Sequence, residues 1–261
     1  MPQSTLPPEV LKTLQEAEQG LSSEPAQVLE PIDQHFQLAA GYLDAKNQWH
    51  TDFVVRELTG RDEEAIGKTT RVGTMVLEII TRGLVSVGPY KGAVALDGIL
   101  GGDWETVLLA IRAVTFGNEI EYIITCRDCQ NTYEAPVRLD TDIPRTTMTE
   151  SSDIRFHFVG RHGTQYEVAM PLGATHRKLL QNTDRTNVEQ NSILLRDCVE
   201  RIDHRAALPE QVMNMPLADR REILKRIIEN TPGPRLEGVR TLCPNCGAEN
   251  LLNLNIASMF Q

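Results

Sequence analysis

Residues 119–139 read EIEYIITCRDCQNTYEAPVRL, and residues 241–256 read TLCPNCGAENLLNLNI. Each stretch carries one Cys-x-x-Cys pair, Cys126 with Cys129 and Cys243 with Cys246. Glu119–Thr125 and Thr132–Leu139 alternate as strands on either side of the first pair, and LLNLNI (251–256) follows the second as a short strand. A Cys-x-x-Cys turn doubles back so that both sulfurs reach one face of an ion, and zinc favours a tetrahedron of such soft ligands. Gly247 lets the second turn close at positive φ, while the first has Gln130 and Asn131 at that place. The layout is that of a zinc ribbon, two knuckles held at the ends of paired strands. It predicts one Zn²⁺ per chain on Cys126, Cys129, Cys243 and Cys246, with iron as the alternative metal for the same four-sulfur cage.

Between Cys129 and Cys243 lie 113 residues, far more than a compact ribbon contains. Loop-closure entropy grows only logarithmically with length. A structural zinc contributes on the order of 10 kcal/mol, enough to outweigh that penalty. A strand, not a helix, follows each pair, so the dipole that activates a thioredoxin-type cysteine is missing. Four protein ligands also close the coordination sphere, which makes the metal structural and leaves no catalytic residues to assign. Cys198 sits among Ile193, Leu194, Leu195, Val199 and Ile202 and reads as a buried, inert thiol.

Working outward, residues 35–43 and 51–58 read as a hairpin around Asp44–His50. Thr59 or Asp62 caps a helix running to about Arg82, with Val72, Met75, Val76, Ile79 and Ile80 on its core face and Glu63 and Glu64 favouring its positive end. The GlyGlyAspTrpGlu stretch (101–105) opens a second helix that ends at Gly117. Residues 154–159 and 166–171 form a hairpin around GlyArgHisGlyThr, with His162 exposed in its turn. Helices follow over 187–204 and 216–230, the latter stopped by the ProGlyPro at 232–234. At the N-terminus, Leu6, Val10, Leu11, Leu14, Ala17 and Leu21 form one helical stripe, followed by a polar linker.

The formal net charge is −10, and residues 1–60 hold three basic and nine acidic side chains. Such a balance opposes a phosphate-binding surface, and 5% aromatic content opposes a base-stacking one. No stretch approaches the ~20 apolar residues of a membrane span, and the N-terminus lacks a secretory layout. The expected setting is therefore a reducing cytoplasm, where cysteines are metal ligands or free thiols. Gly67-Lys68-Thr69 is not a phosphate loop, because six residues separate it from Gly60 and it falls inside the expected helix. Arg220, Arg221, Lys225 and Arg226 read as a solvated helix face. The six histidines lack metal-ligand spacing, and no nucleophile elbow is present.

Several blocks in fixed order resemble a known family. They are RELTGRDEE (56–64), GGDWETVLLAIRAVTFGNEIEYIITCRDC (101–129), MPLADRR (215–221), the Cys-Pro-x-Cys-Gly knuckle and a terminal strand ending near Phe260. Together the chain from about residue 33 is similar to the zinc-binding baseplate hub assembly proteins of contractile-tailed bacteriophages and their relatives. The resemblance implies a non-enzymatic role in building the tail tip, with the four cysteines as the metal site. The expected partners are other hub or tape-measure proteins, with no membrane, and the acidic charge and few aromatics disfavour nucleic acid. The expected location is the host cytoplasm during assembly, or the virion tail.

The expected architecture is thus α+β. An N-terminal helical arm and linker (1–31) precede a lobe of a hairpin and helices (32–118). A zinc-ribbon-like β lobe with a large inserted hairpin and helices (119–261) follows. The alternative reading is a zinc-ribbon nucleic-acid-binding or transcription-related module.

Overall fold

A computed structural model of the protein describes residues 33–46, 48–148 and 154–260. The expected arm helix at 6–21 and its linker lie outside the described residues. The class is mixed α+β, with eight helices and several antiparallel sheets among the described residues. Pro31–Gln261 group as one compact unit.

The first sheet is an antiparallel meander of β1 (Asp33–Leu43), β2 (Trp49–Arg56), β3 (Leu84–Val87) and β4 (Tyr90–Lys91). The first two strands are the expected hairpin. Its turn is organised by the buried Asp44, whose carboxylate accepts the N–H groups of Lys46 and Gln48 at 2.8 Å and the Tyr90 hydroxyl at 3.0 Å. These donors, the Gln48 N–H foremost, hold its carboxyl down at about 2. The β1–β2 register slips between Gln37 and Tyr42, which takes N–H groups of β1 out of the ladder. Asp103 supplies the replacement. Its buried carboxylate accepts the N–H groups of Ala39 (2.7 Å), Ala40 (3.2 Å) and Gly41 (2.7 Å). Burial pushes that carboxyl up to about 6 against the pull of the three amides.

The helix expected from Thr59 to Arg82 is two helices, α1 (Gly60–Ile66) and α2 (Val72–Gly83). Ile66 O is taken by both the N–H (3.0 Å) and the hydroxyl (2.7 Å) of Thr69, which ends the first helix, and Arg71 is extended. Val72 consequently opens the second helix at 62% exposure, off the core face assigned to it, whereas Val76, Ile79 and Ile80 are buried as expected. Gly67-Lys68-Thr69 is this interhelical connection, so its rejection as a phosphate loop rests on spacing, not on a helix running through it. Thr59 caps α1, its N–H and hydroxyl both donating to Asp62 Oδ2. Arg56 grips the same carboxylate at 2.8 and 2.9 Å and holds its carboxyl far below the usual range. Asp62 thus joins strand to helix in addition to favouring the helix dipole.

A short helix, α3 (Gly92–Gly98), leads into α4 (Asp103–Phe116), which begins and ends where the sequence placed it, with Gly117 at φ 95° closing it. Trp104, Val107, Leu108 and Ile111 of α4 join the core of the first sheet, while Leu109 joins a separate apolar cluster under the cysteine-bearing hairpins. This helix therefore fixes the position of the hairpins against the first sheet.

Those hairpins are β5 (Glu119–Thr125) with β6 (Thr132–Arg138), and β13 (Glu237–Leu242) with β14 (Glu249–Asn253). Between them run β7 (Arg145–Thr146), which pairs with β12 (Gly233–Pro234), and a second four-stranded sheet. That sheet comprises β8 (Arg155–Val159), β9 (Gln165–Ala169), β10 (Val199–Ile202) and β11 (Arg205–Ala206), in the order β11-β10-β9-β8. The helices α5 (Gly173–Gln181), α6 (Asn187–Cys198), α7 (Pro209–Met213) and α8 (Leu217–Asn230) accompany it. The expected helix 187–204 is thus corrected: it ends at Cys198, and Val199–Ile202 pairs with β9. The β-branched Val199 and Ile202 suit a strand. Asp203 and His204 at φ 47° and 64° then make the two-residue turn into β11. The last strand starts two residues before the expected one, ends at Asn253, and gives way to a 3₁₀ turn at Ala257–Phe260.

Candidate metal centre

The two Cys-x-x-Cys turns have the same backbone hydrogen bonding. In the first, the Cys126 N–H donates to Asn131 O (2.8 Å) and the Gln130 N–H to Cys126 O (3.0 Å). In the second, the Cys243 N–H donates to Ala248 O (2.9 Å) and the Gly247 N–H to Cys243 O (2.8 Å). The residue that closes each turn is left-handed, Gln130 at φ 59° and Gly247 at φ 74°. Gln130 adopts the conformation that the glycine adopts freely, and its side-chain amide donates to Arg127 O (3.1 Å). The antiparallel strands leading into each turn place the knuckles at the same end of the two hairpins. Ala135, Val137, Val239 and Leu252 pack those hairpins together behind them.

All four cysteines that the sequence singled out come together. Their sulfurs lie within 4.8 Å of one another, with Cys126 Sγ 3.7 Å from Cys246 Sγ and Cys129 Sγ 3.6 Å from Cys243 Sγ. A zinc–sulfur bond of about 2.3 Å in a tetrahedron implies sulfur–sulfur edges of about 3.8 Å, so the donor set fits a four-thiolate ion. Cys126 and Cys243 are buried, Cys129 is half-buried, and Cys246 faces solvent.

N–H groups converge on the sulfurs. The Cys126 thiol is drawn down to about 6, first by the Cys129 N–H and then by the Asn250 amide. The Cys129 thiol is lowered as well, chiefly by the Asn245 side chain. At Cys246 the Ala248 N–H also pulls downward, but the crowded sulfurs of Cys129, Cys126 and Cys243 outweigh it and push the thiol up to about 12. Four thiolates cannot share this space without a cation, and a divalent ion would offset half of their charge.

Sequence reasoning missed Asn250. It is buried, pairs with Thr241 across β13–β14, and follows the inward alternation of Leu252 and Leu254. The available signal was a polar residue on an apolar face, which calls for buried partners.

Other residues of interest sit elsewhere. Cys198 is 1% exposed in the core of the second sheet, and burial pushes its thiol up to about 12, as an inert thiol requires. On α8, Arg226 lies over the Phe158 ring at 4.9 Å and bonds Glu222, while Arg220 donates to Val188 O and Ser192 Oγ. That run is therefore partly built into the fold instead of being a purely solvated face. His162 is exposed in the β8–β9 turn, as expected. No helix among the described residues is long and apolar enough to cross a membrane.

Comparison with known proteins places these features in context. The family model described as T4 bacteriophage base plate protein matches residues 55–261, which include both knuckles and the whole insertion between them. No curated protein matches the chain. No solved structure matches it either. A match over most of the chain, spanning every block from RELTGRDEE to the terminal 3₁₀ turn, settles its membership: the chain belongs to the T4 bacteriophage base plate protein family.

Proposed function

We propose that this base plate protein is a non-enzymatic structural or assembly component of the baseplate hub, stapled by one zinc ion on Cys126, Cys129, Cys243 and Cys246. The observation that carries the reading is the convergence of two matched knuckles, far apart in sequence, on a single four-sulfur cluster. Bound there, zinc supplies charge neutralisation and a rigid cross-link, and a closed four-thiolate sphere leaves no position for substrate. The cross-link joins the ends of the β5–β6 and β13–β14 hairpins. Residues 119–261 then act as one lobe beside 32–118, with the inserted sheet and helices held between fixed ends. Function follows from the surfaces so presented, which contact hub or tape-measure proteins in the host cytoplasm during assembly and in the virion tail if the protein is retained. The net charge of −10 supports protein partners over nucleic acid.

Metal analysis of purified protein tests the reading. The expected result is one zinc per chain, lost in Cys243→Ser together with cooperative unfolding of the hairpins. A metal content near zero in a fully folded protein overturns the zinc assignment. Depletion of the protein from infected cells, with normal baseplates still assembling, overturns the hub role.

A further inference from the structure

The two knuckles are joined by one side chain as well as by their sulfurs. The Asn250 carboxamide stands where the second hairpin faces the first. Its Oδ1 accepts the Arg127 N–H of the first knuckle at 3.3 Å. Its Nδ2 points at Cys126 Sγ (3.6 Å), Tyr133 Oη (3.3 Å) and Ala248 O (3.2 Å). Four contacts therefore converge on one buried amide. Three of them reach the first hairpin, and the fourth ties it to the second knuckle.

We infer that Asn250 is the positioning residue of the metal centre: a latch that docks the first knuckle on the second and presents Cys126 Sγ to the ion. This inference rests on the four-cysteine zinc reading. An amide suits the role because it offers an acceptor to a backbone N–H and donors to a sulfur at the same time. No charged or purely apolar side chain of that size does both. The N–H pointing at Cys126 Sγ fixes the place of that sulfur, and hydrogen bonds of this kind to ligand atoms hold a metal site in shape. The polar group also accounts for its own burial, since its partners replace the water it lost on folding.

Two variants separate the halves of the latch. Asn250→Asp keeps an oxygen for the Arg127 N–H but loses the donor to sulfur and adds a negative charge beside a thiolate. Asn250→Ala loses both. Two measurements read them on the full chain. One is the rate at which excess chelator strips zinc, and the other is hydrogen exchange at the Arg127 amide, followed in zinc-loaded and metal-free protein. The expected result is roughly 10- to 100-fold faster zinc loss in both variants, with Arg127 protection retained in Asn250→Asp and lost in Asn250→Ala. Zinc loss at the wild-type rate from Asn250→Asp, or unchanged Arg127 exchange in Asn250→Ala, overturns the latch. Should the wild-type protein hold no zinc, the zinc reading fails by itself. The docking role is then still judged by Arg127 exchange in the metal-free protein.

Discussion

Gly102→Ala is a severe test of how this molecule is packed. Gly102 is the N-cap of α4 at φ −69° and ψ −18°, a conformation open to any residue, so an alanine there carries no backbone strain of its own. The obstacle is another stretch of backbone. A Cβ at position 102 would lie 1.6 Å from Pro232 O, and one at Gly233 would lie 2.4 Å from Gly102 O. The start of α4 and the ProGlyPro segment after α8 thus run in direct contact, and a methyl group needs roughly 3.4 Å from each neighbour. Neither side can yield by a rotamer change, because the atoms are main chain. Overpacking that moves side chains costs about 1–3 kcal/mol, and a main-chain displacement belongs at or above the top of that range. At ~3 kcal/mol, a domain of this size loses roughly 6–12 °C in melting temperature. Gly60→Ala is the control, since nothing lies within 4 Å of its Cβ and it opens α1 without positive φ. There a change between zero and about 1 kcal/mol of stabilisation is expected. Thermal unfolding followed by far-ultraviolet circular dichroism reads both variants in one buffer. If Gly102→Ala melts within about 2 °C of the parent, the contact between the two segments is not what holds them, and the reasoning fails.

Further consequences follow from neighbouring residues. Asp103→Ala strands the N–H groups of half-buried Ala39 and buried Ala40 and Gly41, and the expected cost is about 3–5 kcal/mol in chemical denaturation, with loss of hydrogen-exchange protection confined first to β1. Burial pushes the His176 imidazole down to about 4, and its buried Nδ1 has no partner. A folded-state value below the ordinary 6.5 means its contribution is intact above pH 6.5 and lost as pH falls toward 4. The stability difference between the wild type and His176→Gln should therefore shrink by about 3 kcal/mol across that window, and a constant difference would show the ring to be solvated. The protein should pass through heparin or DNA columns unretained at physiological salt, and retention there would favour the nucleic-acid alternative.

The legible parts of this chain are those fixed by short-range chemistry. Two Cys-x-x-Cys turns flanked by alternating residues specified a four-cysteine cluster across 113 intervening residues, because turn geometry aims each pair of sulfurs regardless of what is inserted. The β1–β2 and β8–β9 hairpins and the limits of α4 were equally local, set by alternation, an N-terminal Asp and a glycine at positive φ. What was misread depended on partners outside the window. The chain from Thr59 to Arg82 reads as one helix until Thr69 takes Ile66 O. Val199–Ile202 reads as helix until β9 offers it a ladder, since a single turn of VERI suits either state and the sheet decides.

The same division runs through the site. Composition and spacing by themselves determined which four cysteines cluster, the soft donor character of that cluster, and the net acidity of the chain. They could not show that Gln130 takes the left-handed conformation beside Arg127, that Asn250 spans both knuckles, or that Asp103 repairs the slipped register of β1. Asn250 and Asp103 are buried polar groups with partners more than sixty residues away, and Gln130 is a left-handed residue held by the turn that its own knuckle closes. Local propensity carries no information about such partners, and only the folded chain brings them within reach.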